Sequence, residues 1–141
     1  RQKKVYNSVL TVMNEAKKLL KPGVYLSEYE ESVGLLMEKE LVKLNLISMN
    51  DIRKNSNTPA YKKYFMHGTS HHLGLDVHDV SDVQQPISEG MVFTCEPGIY
   101  IPEESLGVRL ENDVFITKNG TQDLMEDIII EAEEIEETMN N

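Results

Sequence analysis

The chain has 141 residues and is 40% hydrophobic, which is enough for one domain around a single core. Its formal net charge of -10 argues against nucleic acid as a partner, because neutralising phosphates requires clustered Lys and Arg. Cys95 is the only cysteine, so an intramolecular disulfide is excluded and a cytoplasmic location is predicted, and no apolar run reaches the ~20 residues of a membrane span.

Two amphipathic helices are predicted in the first 44 residues. Apolar residues recur at spacings of three and four from Val5 to Leu20 and from Val33 to Leu44, an interval that places them on one helix face. Residues 21–23 end the first helix, and Ser27 begins the second, with Glu30 at the spacing of a capping box. The two helices are expected to form one layer.

Less regular structure is predicted in the middle of the chain, and strands follow it. Polar residues and a proline between Asn45 and Lys63 indicate a loop with one helical turn. Two β-rich runs then cover Met91–Ile101 and Val108–Thr117, and an acidic helix with a solvated face begins at about Glu131. Helices before strands favour an α+β domain with helices packed on an antiparallel sheet.

All four histidines, His67, His71, His72 and His78, fall within twelve residues. Imidazole is the commonest protein ligand of divalent metals and the usual proton shuttle near neutral pH, so the cluster indicates a metal or acid–base site. A chance run of surface histidines is the alternative. The spacing of His67 and His71 resembles a helical zinc pair, but nearby glycines disfavour a helix and the zincin glutamate is absent.

The two β-rich runs each carry a glutamate that a hairpin would bring together. In a hairpin closed by residues 102–105, Ile101 pairs with Leu106, and the same register sets Glu96 opposite Glu111. Cβ atoms of opposed residues are ~5 Å apart, where like charges are destabilising unless a cation lies between them. Either a divalent metal supplies that charge or both glutamates point to solvent.

A histidine with two carboxylates is an oxygen-rich ligand set that suits Mn²⁺, Co²⁺ or Zn²⁺. Thr94 and Arg109 offer hydrogen bonds that would orient the carboxylates. Two bridging carboxylates further suggest a two-metal site, in which water between ions ~3.5–4 Å apart becomes a hydroxide nucleophile. The reaction class predicted from these residues is metal-assisted hydrolysis.

Three segments together resemble the successive metal-site motifs of the aminopeptidase P (Xaa-Pro aminopeptidase) and prolidase group, which has the pita-bread fold. They are HGTSHHLGLDVHD at 67–79, CEPGIY at 95–100 and GVRLENDVFIT at 107–117. The resemblance runs from about Val5 to the C-terminal helix. It implies that residues 1–141 are the C-terminal portion of a metallopeptidase catalytic domain, and a start at Arg1 without a methionine suggests an excised fragment.

The resemblance implies metal ligands. His71, Glu96 and Glu111 match the family's ligands, with Glu111 bridging two divalent ions and Glu96 also handling the proton of the nucleophilic water. Manganese is the family's usual metal, with Co²⁺ or Zn²⁺ as alternatives. Two further aspartate ligands precede the first helix in the family and are missing here, so the fragment alone is expected to bind one ion or none and to be inactive.

The resemblance also implies residues on the substrate side. His67 matches a histidine at the mouth of the site, His78 one that hydrogen-bonds the scissile carbonyl or the intermediate, and Arg109 an arginine beside the second glutamate. His72 occupies a variable position and has no assigned role. The intact protein would release the residue before proline from a peptide's N-terminus, and it could form a homo-oligomer.

Three alternatives stay open. A prolidase would cleave Xaa-Pro dipeptides only, although the short link Ile101–Leu106 favours aminopeptidase P. A noncatalytic pita-bread domain that binds peptides or proteins would usually lack the metal ligands. Creatine-type amidino hydrolysis on the same fold would lack the full ligand set as well.

Overall fold

Two long helices, α1 (Gln2–Leu19) and α2 (Leu26–Lys43), pack side by side in one layer. The computed structural model describes residues 1–54 and 57–140. The loop predicted after α2 contains a short helix, α3 (Met49–Arg53), and a 3₁₀ turn at Ala60–Lys63. The part of that prediction that falls on Asn55 and Ser56 lies outside the described residues.

The apolar faces predicted for both helices are confirmed. The buried residues on these faces are Val5, Val9, Val12, Met13 and Ala16 in α1 and Val33, Met37 and Leu41 in α2. Their spacing of three and four places them toward the strands and toward each other, where they form one hydrophobic cluster.

The predicted start of α2 is wrong by two residues. The residue that caps the helix is Tyr25, and Glu28 rather than Glu30 reaches back to the cap, where its Oε2 accepts from the Tyr25 N–H at 3.5 Å. Ser27 therefore lies inside the helix. Glu30 does not cap the helix. Its carboxylate accepts hydrogen bonds from Thr69 in the histidine-rich segment.

Within the described residues, five short strands form the second layer, and their pairings are antiparallel. They are β1 (Val92–Cys95), β2 (Gly98–Ile101), β3 (Leu106–Arg109), β4 (Asn112–Thr117) and β5 (Gly120–Asp123). β4 lies between β1 and β5, whereas β2 and β3 form a separate pair. Helix α1 contacts both sheets and joins them into one core. The fifth strand was not predicted.

Each predicted β-rich run is divided into two strands by a short break. Glu96 and Pro97 separate β1 from β2, and Leu110 and Glu111 separate β3 from β4. Pro97 has no N–H, so it cannot donate to a sheet ladder. Its carbonyl still accepts from the Leu110 N–H at 3.3 Å, which holds the two halves of the hairpin together across the break.

The predicted hairpin register is confirmed on both sides of this break. Ile101 pairs with Leu106 in β2 and β3, and Cys95 pairs with Asn112 in β1 and β4. Both pairs follow the one register that sets the two predicted ligand glutamates opposite each other. The 3₁₀ turn Pro102–Glu104 closes the hairpin, as its proline and polar residues predict.

The C-terminal helix, α4 (Ala132–Asn140), begins one residue after the predicted position. Its glutamates are exposed, and two of them, Glu133 and Glu136, form ion pairs with Lys3 of α1. The Tyr6 hydroxyl donates to the carbonyl of Ile130 at 2.7 Å, which ties the segment before α4 to the same helix. In the described parts of the chain, 1–54 and 57–140, no helix is both long enough and apolar enough to cross a membrane.

Cys95 lies in the centre of the core, where its Sγ contacts the Tyr29 hydroxyl at 3.8 Å. Burial raises the pKa of the Cys95 thiol from 9.0 to about 12. We expect the folded chain to react with iodoacetamide at pH 8.5 roughly 1000-fold more slowly than the urea-unfolded chain, because the thiolate is the nucleophile. Equal rates, measured by mass spectrometry, would place Cys95 outside the core.

The same thiol makes stability pH-dependent in the alkaline range. Its pKa is higher in the folded chain than in the unfolded chain, so the unfolded chain loses the proton first. The contribution of the buried Cys95 thiol to the free energy of unfolding is therefore complete below about pH 9 and declines as the pH rises toward 12. Cys95→Ala should lack this component of the alkaline loss in urea titrations.

Candidate metal centre

Residues 69–73 of the histidine-rich segment lie beside β1, and His72 forms an antiparallel bridge with Phe93. The Thr94 N–H donates to the His71 carbonyl at 3.0 Å, and the Glu96 N–H donates to the Thr69 carbonyl at 2.8 Å. The Thr94 hydroxyl accepts from the His71 N–H at 3.2 Å. These bonds fix the position of the His71 backbone relative to Glu96. The described residues 67–79 contain no helix, as the glycines predict.

His71, Glu96 and Glu111 lie together where the hairpin ladder is interrupted. Each offers one ligand atom, and the three atoms lie within 4.8 Å of one another. His71 Nε2 is 3.2 Å from Glu96 Oε1, and the Glu96 side chain is only 13% exposed. The three residues predicted as metal ligands are therefore adjacent in space, and the role of each stays a prediction.

The hydrogen bonds of His71 define which ring nitrogen faces the carboxylate. Nδ1 lies 2.9 Å from the His72 carbonyl, which can only accept, so Nδ1 carries a hydrogen. In the neutral ring, Nε2 then directs its lone pair at Glu96 Oε1, which is also an acceptor. Two acceptors in contact need a proton or a cation between them, so this donor set fits a divalent metal.

Arg109 partly offsets the negative charge of the two glutamates. Its guanidinium lies 3.6 Å from Glu96 Oε2 and 3.2 Å from Glu111 Oε2. The Thr94 hydroxyl also lies 3.4 Å from Glu96 Oε1. Both contacts were predicted from the sequence. Two carboxylates and one guanidinium leave a net negative charge, which favours a cation over an anion in this position.

His67 is held at the edge of the site by Tyr100. His67 Nδ1 lies 2.7 Å from the Gly68 carbonyl and so carries the hydrogen, which leaves Nε2 to accept from the Tyr100 hydroxyl at 2.8 Å. No sequence pattern predicts a role for Tyr100. The last letter of CEPGIY was the only signal, because the contact joins residues 33 positions apart.

The predicted substrate-side residues line one open cavity. Its volume is about 490 Å³, and its lining residues are His67, Gly68, Ser70, His71, His78, Glu96 and Arg109. The structure thus brings every predicted catalytic residue to one side of the molecule. This volume lies within the usual range of ligand-binding pockets.

His78 reaches this cavity through a tight loop that Asp79 closes. Asp79 Oδ2 accepts from the Leu75 N–H at 3.1 Å, and its Oδ1 accepts from the Val80 N–H at 2.9 Å. The carboxylate packs directly against Gly74, where a Cβ would collide with it. The loop returns the His78 ring to His71, with centroids 4.3 Å apart at nearly perpendicular orientation.

We expect Asp79→Ala to release His78 from the cavity. Without the carboxylate, the amides of the loop lose their acceptor, and amide hydrogen exchange at Leu75 and Val80 should accelerate by about 10-fold or more. Asp76→Ala is the matched control, because the Asp76 side chain is exposed in the same loop. Exchange rates that stay at the wild-type value in Asp79→Ala would contradict this role.

His72 does not line the cavity that the other three histidines share. Its ring packs on Phe93 at 4.2 Å between centroids, and burial lowers its pKa below the usual value. It lines a separate small cavity of about 130 Å³. The absence of a role for His72 stays a prediction.

Comparison with known proteins identifies the family. The family model described as metallopeptidase family M24 matches residues 1–118. The chain belongs to metallopeptidase family M24. Membership of this family implies divalent metals, and the arrangement of His71, Glu96 and Glu111 provides ligands suited to them.

Two curated relatives of this M24 chain are Xaa-Pro aminopeptidases. The Escherichia coli enzyme is 37% identical, and the alignment covers 98% of this chain and 34% of the relative. Human Xaa-Pro aminopeptidase 3 is 35% identical, with 96% of this chain and 29% of the relative covered. The chain therefore spans about a third of the length of the curated relatives it matches.

A solved structure of Escherichia coli aminopeptidase P with the inhibitor Pro-Leu has the same fold. The TM-score is 0.85 at 36% identity, and the match covers 98% of this chain and 34% of that chain. The predicted resemblance to aminopeptidase P and the predicted α+β pita-bread fold are both confirmed.

Proposed function

We propose that this M24 chain is the C-terminal portion of the catalytic domain of a Xaa-Pro aminopeptidase, which hydrolyses the bond between a peptide's first residue and proline. The single observation that carries the proposal is the group formed by His71, Glu96 and Glu111, whose ligand atoms lie within 4.8 Å of one another. Similarity to Xaa-Pro aminopeptidases over nearly the whole chain supports the substrate class.

In this proposal His71, Glu96 and Glu111 hold the divalent metal, and Mn²⁺ is the ion we favour over Co²⁺ or Zn²⁺. One imidazole and two carboxylates form the hard, oxygen-rich donor set that suits these ions. When bound, such ions supply Lewis-acid activation of water for attack on a carbonyl. Two ions in the intact enzyme would require ligands beyond these three.

The chain's own residues divide the remaining work. Glu96 is both a ligand and the group that takes the proton of the attacking water, because its carboxylate is the most buried acceptor in the group. Arg109 orients both carboxylates. His78, exposed at the edge of the cavity, is free to donate to the carbonyl of the scissile bond.

The substrate is a proline-containing peptide that enters beside His67. The aminopeptidase P of Escherichia coli binds Pro-Leu as an inhibitor, which supports a proline-binding region on the same fold. The hydrogen bond from the Tyr100 hydroxyl to His67 Nε2 holds the imidazole in place where it lines the cavity. We also propose a cytoplasmic setting, consistent with a single cysteine, and homo-oligomer formation by the longer protein.

The test is cleavage of an Ala-Pro-Xaa tripeptide by the longer polypeptide in which this chain supplies the C-terminal third. Mn²⁺-dependent release of alanine, followed by mass spectrometry, is the expected result. Cleavage of Xaa-Pro dipeptides alone would identify a prolidase. Peptide binding without cleavage, with every metal ion loaded, would identify a noncatalytic binding domain and end the proposal.

A further inference from the structure

One carboxylate on helix α2, that of Glu30, accepts hydrogen bonds from the segment between His67 and His71. Glu30 Oε1 accepts from the Thr69 N–H at 2.7 Å and from the Ser70 N–H at 3.2 Å, and Oε2 accepts from the Thr69 hydroxyl at 3.0 Å. Thr69 is fully buried and Ser70 is nearly so. Water therefore cannot easily replace Glu30 as their acceptor.

We propose that Glu30 is a positioning residue for the metal centre, acting through Thr69 and Ser70 on the direction of His71. The inference rests on the proposed metal site and adds to it a residue that touches neither metal nor substrate.

The geometry supports this role from two sides. On the strand side, the Thr69 carbonyl accepts from the Glu96 N–H, and the His71 carbonyl accepts from the Thr94 N–H. On the helix side, the Glu30 carboxylate accepts hydrogen bonds from the Thr69 and Ser70 N–H groups. The segment is thus clamped between α2 and β1. His71, the predicted histidine ligand, directly follows Ser70. A small shift of Thr69 and Ser70 therefore moves His71 relative to Glu96.

A second contact from the same helix strengthens the clamp. The Ser70 hydroxyl donates to the Tyr29 hydroxyl at 2.9 Å, and Tyr29 is almost fully buried against Cys95.

Burial raises the pKa of Glu30, while the hydrogen bonds from Thr69 and Ser70 lower it. The amide of glutamine therefore offers a close substitute, since its oxygen can accept from both N–H groups and its nitrogen can donate to the Thr69 hydroxyl.

Four variants of the 141-residue chain separate positioning from general stability. Glu30→Ala removes the acceptor, and Glu30→Gln preserves it. Glu31→Ala is the matched control, because Glu31 is exposed at the next position of the same helix. Val33→Ala lowers stability by opening space in the core on the same helix while leaving the bonds of Glu30 intact.

Three readouts are used: amide hydrogen exchange at Thr69 and Ser70, the NOE between the rings of His71 and His78, and the dissociation constant for Mn²⁺ alone. In Glu30→Ala we expect exchange about 10-fold faster, loss of the NOE, and Mn²⁺ binding roughly 10-fold weaker. Glu30→Gln should stay within about threefold of wild type in the dissociation constant, and Glu31→Ala and Val33→Ala within about twofold.

The inference is overturned if folded Glu30→Ala keeps the NOE and the wild-type affinity, or if Val33→Ala weakens Mn²⁺ binding as much. If Glu30→Ala does not fold, Glu30→Asp, whose shorter side chain cannot reach both amides, replaces it, and unfolding of both variants would show a purely structural role. If the wild-type chain binds no Mn²⁺, its three candidate ligands do not hold the ion without further ligands, an outcome that leaves the proposed function standing. Exchange and the NOE then still decide whether Glu30 positions His71.

Discussion

Replacing Glu96 with glutamine is expected to weaken Mn²⁺ binding by the 141-residue chain on the order of 100-fold and to lower kcat/KM of the longer enzyme by roughly 1000-fold or more. The substitution keeps the size of the side chain and removes one of two negative charges beside His71. It also removes the acceptor for the proton of water. Calorimetric titration with Mn²⁺ and steady-state cleavage of an Ala-Pro-Xaa peptide measure the two effects.

Glu89→Gln serves as the control for this substitution. Glu89 is exposed in the turn before β1 and is remote from the three candidate ligands in the pairing of the strands, so both measurements should stay at the wild-type value. A second comparison uses Arg109→Ala, which should affect cleavage while leaving all three ligands present. Wild-type affinity in Glu96→Gln would remove Glu96 from the metal site.

The largest expected difference in peptidase activity is between the 141-residue chain and a polypeptide of the relatives' full length that contains it. We expect no detectable cleavage by the chain alone and a kcat/KM of about 10⁴ M⁻¹ s⁻¹ or more for the longer polypeptide. Among the described residues, the chain offers one group of three candidate ligands, and two of them, His71 and Glu96, line the open cavity. Three protein ligands would hold a divalent ion only weakly, because such ions take more ligands than three. We therefore expect the chain to bind at most one ion and not to cleave a Xaa-Pro peptide.

Metal analysis by mass spectrometry, paired with the peptide assay, tests this dependence. Two tightly held ions per 141-residue chain, or cleavage by the chain alone, would contradict it. A polypeptide of the relatives' length that carries His71→Ala is the matched control, because it differs from the active form only in the imidazole ligand. It should recover neither full metal content nor activity.

Local patterns were sufficient for several parts of the fold. The spacing of apolar residues predicted the faces of α1 and α2, because helix periodicity is a property of consecutive residues. Turn chemistry at residues 102–105 predicted the hairpin and its register, since a short loop leaves few ways to pair the flanking strands. The same register predicted that Glu96 and Glu111 would lie opposite each other.

Other features depend on contacts between distant residues, and local patterns gave the wrong answer or none. Glu30 has the spacing of a capping box with Ser27, but its carboxylate bonds to Thr69, 39 residues away. A spacing rule cannot weigh a local cap against a buried amide that needs an acceptor. The division of each β-rich run was also missed, although Pro97 lies in CEPGIY and cannot continue a ladder.

The histidine-rich segment illustrates the boundary between the two kinds of information. The sequence by itself determined that HGTSHHLGLDVHD contains imidazoles for metal or acid–base chemistry, because residue type sets which atoms can bind or carry protons. It also determined the resemblance that separated His71 from His72. Only the tertiary structure decided that His71 Nε2 faces Glu96 while His72 packs on Phe93, because these contacts join the segment to residues of β1 and its end that lie more than 20 positions away.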